Sequence, residues 1–122
     1  MKRFIVIASA MAAAAASAAP ANAAGWEIRG LTGVATTADC IARAHRIMTR
    51  YSQTYYVSEI QRGSIGVYMY GTDNNERDAT IQCSSVDRGG EALLIVHDTR
   101  NDTDIAVTAE RIVQYWDATG GK

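Results

Sequence analysis

The stretch ATIQCSSVDRGGEALLIV, residues 79–96, sets two contrasting hydrophobic patterns on either side of a turn. Ala79, Ile81 and Cys83 point one way and Thr80, Gln82 and Ser84 the other, which is the period of a half-buried strand. Asp87-Arg88-Gly89-Gly90 predicts a tight turn, with glycines available for positive φ. Ala92-Leu93-Leu94-Ile95-Val96 is apolar at every position, which predicts the central and most buried strand.

Working upstream, Ile65, Val67 and Met69 alternate with Gly66, Tyr68 and Tyr70, a second half-buried strand. Between these strands, residues 71–78 contain no apolar side chain and read as an exposed hairpin loop. Residues 55–61 are rich in strand formers but mixed on both alternating faces, so they read as an irregular strand or extended loop. Trp26-Glu27-Ile28-Arg29 alternates cleanly and is a candidate short edge strand, followed by a loop marked by Gly30 and Gly33.

A helix flanks each end of the strand region. Thr36-Thr37-Ala38-Asp39 matches a capping box, and the helix it opens should run to about Arg50. Cys40, Ile41, Ala44, Ile47, Met48 and Tyr51 form its apolar stripe, with Asp39, Arg46 and Arg50 opposite. A second helix should begin after Asp102, as cap, with Asp104 complementing its dipole. Its stripe is Ile105, Ala109, Ile112 and Trp116, flanked by Ala106 and Val113, and Gly120 and Gly121 end it. The expected fold class is α+β: a two-layer sandwich in the order helix, three antiparallel strands, helix, with the short edge strand in front.

The first 23 of the 122 residues have the three parts of a secretory leader. Lys2 and Arg3 form a charged start, residues 4–16 an apolar run, and Ala21-Asn22-Ala23 a small-x-small cleavage site after Pro20. Cleavage after Ala23 would leave residues 24–122 as one domain in the periplasm or outside the cell. Removing Lys2 and Arg3 takes the formal charge from −1 to −3. Such mild acidity argues against a nucleic-acid partner, which needs a basic surface to displace counterions. No other stretch approaches 18 apolar residues, so no transmembrane segment is expected in the mature chain.

The two cysteines, Cys40 and Cys83, lie 43 positions apart. That spacing is unlike the close thiol pairs of metal sites. An even count in an exported chain favours a disulfide over free buried thiols. The patterns agree, since Cys40 falls on the apolar helix stripe and Cys83 on the face shared with Ala79 and Ile81. A bridge would pin the first helix to the sheet, at a gain of about 3–4 kcal/mol.

Four segments carry a resemblance: the Asp39-Cys40-Ile41-Ala42-Arg43-Ala44 helix start, Ala79-Thr80-Ile81-Gln82-Cys83, Leu93-Leu94-Ile95-Val96 and the alanine-spaced last helix. Over residues 39–116 the chain resembles small exported bacterial proteins of unknown function. The resemblance implies the fold and brings no activity or site with it.

For function, Tyr68 and Tyr70 should share the strand face away from the core with Thr80, Gln82 and Ser84. Tyrosines among small polar groups suit protein recognition, while a solvated antiparallel face is the plainer account. His97, Asp98 and Asp102 gather where the apolar strand ends and the second helix begins, and a histidine beside a carboxylate is the constellation of a base or a metal site. Adjacent strand residues point to opposite faces, however, and Asp102 already has work as a cap. Asp98, Asp102 and Asp104 lack the central glycine and distant glutamate of a calcium loop. His45, Ser84 and Ser85 sit in no hydrolase or protease motif. The expectation is a non-enzymatic binding module for another envelope or extracellular protein, with no cofactor and no metal. The alternatives are a small hydrolase or metal-dependent enzyme using His97 with a nearby Asp, and an inhibitor of an envelope or foreign hydrolase.

Overall fold

A computed structural model describes residues 25–73, 76–99 and 104–119. The expected leader, the Asp102 cap and the Gly120-Gly121 stop lie outside these residues. The elements run β1 (Gly25–Leu31), α1 (Thr37–Ser52), β2 (Glu59–Arg62), β3 (Gly66–Thr72), β4 (Arg77–Gln82), β5 (Ala92–Asp98) and α2 (Ile105–Ala118). The class is α+β. The sheet has five antiparallel strands in the order β1-β5-β4-β3-β2: the expected three, the candidate edge strand at residues 26–29, and a strand formed within residues 55–62.

The two additional strands are its edges. Residues 26–29 belong to a seven-residue strand, and Trp26 to Leu31 pair with His97 to Ala92 of β5. The first strand is therefore seated beside the last, a long-range pairing that no local pattern reveals. Residues 55–61 yield the short β2, whose Ile60 leans on the core while Glu59, Gln61 and Arg62 are exposed. Two corrections follow from this order. β4, and not the apolar β5, is the central strand. Ile65 precedes β3 and is solvent-exposed, so the buried apolar side chains of that strand begin at Val67.

Both helices pack on one face of the sheet, α1 chiefly against β3 and β2 and α2 against β1 and β5. Every expected stripe residue of α1 is buried, as are Ile105, Ala109, Ile112 and Trp116 of α2. They meet Val67, Met69, Ala79, Ile81, Leu94 and Val96 from the sheet in one core. Each fully buried aliphatic side chain stabilises such a core by about 1.5–3 kcal/mol. Thr36 caps α1, its hydroxyl accepting from the Asp39 amide at 3.1 Å. Asp104 stands at the start of α2, two positions beyond the expected Asp102. The Cys40–Cys83 disulfide joins α1 to the end of β4, with Cα atoms 5.8 Å apart.

The segment expected as an exposed loop, residues 71–78, is strand at both ends, Gly71 and Thr72 closing β3 and Arg77 and Asp78 opening β4. Gly71, with φ +59°, accompanies a bulge between Met69 and Thr72, where a glycine takes up the left-handed backbone at little cost. Thr72 and Arg77 are buried. Arg77 can be inside because its charge is met there: Nε binds Asp98 Oδ2, and Nη1 donates to Thr108 Oγ1 at 2.8 Å. Thr108 in turn donates to Asp73. The pattern of apolar residues is blind to a polar side chain whose partners arrive from β5 and α2.

Candidate functional site

The face of the sheet away from the helices carries side chains on all five strands. The strand registers arrange them in rows. One row runs Ile28, Ile95, Thr80, Tyr68 and Gln61; a second begins with Trp26, His97 and Asp78. Leu93 lies opposite Gln82, and Tyr70 opposite Glu59. None of the described elements covers these rows.

The face divides into two halves. On β3 and β4 it is tyrosines among small polar groups, as expected, with the rings of Tyr68 and Tyr70 nearly parallel at 6.4 Å between centroids. On β1 and β5 it is apolar. Trp26 is 62% exposed, Ile28 60%, Leu93 39% and, across the face, Tyr70 37%. Tyr68 and Ile95 are half-buried by their neighbours. The apolar half went unread in the sequence. Its signal was present in the Trp26 and Ile28 alternation and in the unbroken run 92–96, where residues 93 and 95 necessarily turn away from 92, 94 and 96.

His97 and Asp98 separate as adjacent strand residues do. His97 is on the open face, with its ring 4.2 Å from that of Trp26 between centroids. Asp98 is buried on the helix side in its ion pair with Arg77. The carboxylate that the register sets opposite His97 is Asp78, which accepts a hydrogen bond from the Gly71 amide at 3.0 Å. Asp102 lies outside the described residues. Among the described residues no three metal-ligating side chains come together. No described helix is long and apolar enough to cross a membrane.

Away from the open face, a cavity of about 350 Å³ is lined by residues 33–35 with Asp39, Ala42, Arg43 and Arg46 of α1. Its Arg43 has a structural role. The guanidinium lies 4.1 Å over the Trp116 ring and donates to the carbonyls of Gly33 and Trp116, and the Trp116 indole donates to the Thr32 carbonyl at 2.8 Å. Together they clamp the loop after β1 to α2. Burial lowers the Arg43 pKa, Arg46 adds to this and Asp117 opposes it. At the other end of α1, burial, reinforced by Asp73, pushes the Tyr51 hydroxyl up to about 12. Thr72 lies close enough to oppose that shift, yet no hydrogen bond is closed on either hydroxyl among the described residues.

No family model, curated protein or solved structure matches the chain.

Proposed function

We propose that the chain is an exported, non-enzymatic binding module whose open sheet face recognises another envelope or extracellular protein. The observation that carries this is the uncovered sheet face, which exposes Trp26 and Ile28 on β1, Leu93 on β5 and Tyr70 on β3. Aromatic and aliphatic side chains on such a scaffold offer contact area without the entropic cost of ordering a loop. A contiguous exposed apolar patch on a small domain is a usual mark of an interaction site. The Cys40–Cys83 bridge is compatible with an oxidising compartment, and cleavage after Ala23 would deliver a chain beginning one residue before β1. The separation of His97 from Asp98 across the sheet weighs against a catalytic pairing of those two residues.

The test is affinity capture from envelope extract by the exported chain and two variants. Tyr68→Ser/Tyr70→Ser should fold and lose at least tenfold of partner recovery, since interface tyrosines can each contribute about 2 kcal/mol or more. Arg46→Ala, on the outward side of α1, should retain capture. Capture that survives the double tyrosine change and fails with Arg46→Ala would overturn the assignment.

A further inference from the structure

The two edges of the sheet are unlike. β2 has four residues, three of them exposed and polar or charged, the usual way of discouraging edge pairing. β1 has seven residues, and no described element pairs with its outer side. It also carries the two most exposed side chains of the open face's apolar half, Trp26 and Ile28.

We propose that the outer edge of β1 pairs with β1 of a second copy of this chain, antiparallel, about a two-fold axis at Ile28. The sheet then runs continuously through ten strands, and the two apolar half-faces join. The charge pattern selects this register. With Ile28 at the axis, Glu27 of each copy faces Arg29 of the other, giving two reciprocal ion pairs on the helix side of the sheet. Centring the pairing on Glu27 sets two glutamates together, and centring it on Arg29 sets two arginines together. An in-register parallel pairing sets like charges opposite at both positions, which destabilises a sheet. Within one copy Glu27 and Arg29 already form a bridge of 2.8 Å, with both side chains partly exposed and so within reach of a neighbour. The same register places the exposed Trp26 opposite Gly30, over which the Glu91 carboxylate of the same copy lies. It places Ile28 against Ile28, so the most exposed aliphatic residue of the edge lies beside its own copy.

A seven-residue edge buries less than the roughly 1,200–2,000 Å² of a permanent interface, so the dimer exchanges with monomer as concentration changes. The proposal concerns the strand edge and is independent of which protein meets the open face.

The test is sedimentation velocity on the chain expressed in full and recovered after export, from about 10 µM to about 1 mM. The expected result is a shift from one to two copies across that range. Glu27→Arg and Arg29→Glu should each remain monomeric with an unchanged melting temperature, because each sets like charges opposite at both positions. An equimolar mixture of these two variants should dimerise again, since position 27 of one then complements position 29 of the other. Restoring the bridge within a single chain cannot produce that rescue. Separately, Ile28→Cys should cross-link to itself on mild oxidation while Trp26→Cys does not. Residues facing across the axis have Cα atoms within disulfide reach, whereas two copies of position 26 lie four residues apart along the strands. A wild-type chain that stays monomeric at about 1 mM, a mixture that fails to dimerise, or cross-linking that favours position 26 would each overturn the proposal.

Discussion

Leu93 and Leu94 are neighbours of identical chemistry, and the sheet gives them opposite roles. Leu94 is wholly buried between β4, β1 and the helices, while Leu93 stands on the open face at 39% exposure. The contrast extends to whole faces. On the helix side, apolar side chains close over a disulfide and two arginines whose charges are met inside. On the other side, side chains of similar size meet solvent. Folding accounts for the first set and gains little from the second. The proposed recognition would use the side chains from which stability draws least.

The largest effect should come from the bridge. Reducing Cys40–Cys83, or replacing both cysteines with alanine, should cost about 3–4 kcal/mol and lower the melting temperature by about 15–25 °C, read by calorimetry. The tyrosines of the open face, by comparison, should be removable with almost no change in melting. If the bridge proved worth less than the tyrosines, the division of labour between the faces would be lost.

The pair of leucines sharpens the same comparison at a single step of the chain. Leu94→Ala should cost about 3 kcal/mol in denaturant unfolding, within the usual spread for a buried leucine that leaves a cavity. Leu93→Ala should cost less than about 1 kcal/mol. Equal losses would mean that both faces of β5 are core.

A smaller effect belongs to the end of α1. Tyr51 ionises at about 12 in the folded chain against 10.0 for an unperturbed tyrosine, with burial as the main cause. Because the folded pKa is the higher, its contribution to stability is fully present below pH 10 and is lost as pH rises towards 12. Tyr51→Phe should flatten that alkaline decline and leave neutral stability unchanged or slightly raised, since among the described residues the hydroxyl closes no hydrogen bond. A marked loss at neutral pH would show that the hydroxyl has a partner.

The helices, the Thr36 cap and the Cys40–Cys83 bridge were legible in the sequence because each rests on a local period or on two periods that agree. The sheet was legible only in part. That β1 lies beside β5 is a contact between residues about 70 apart, and nothing in Trp26-Glu27-Ile28-Arg29 names its partner strand. A run such as residues 92–96 conceals its alternation because every position is apolar, so burial on both faces was inferred where only one exists. Arg77 and Thr72 read as loop residues because polarity usually means exposure; Arg77 is inside because β5 and α2 supply its partners, and Thr72 is buried by packing alone among the described residues. Of the candidate site, the tyrosine half followed from period two. The apolar half required knowing that no third layer covers β1 and β5.

The account stands on the open face being the surface that another protein meets, and site-specific photo-crosslinking in the native compartment tests this most directly. A photoreactive phenylalanine would be placed at Tyr70 or Leu93 on the open face, and at Arg46 on the outward side of α1 as the control. The account predicts a discrete adduct with one other protein from positions 70 and 93 and none from position 46. Adducts from position 46 with none from the sheet would contradict it and move the recognition surface to the helices.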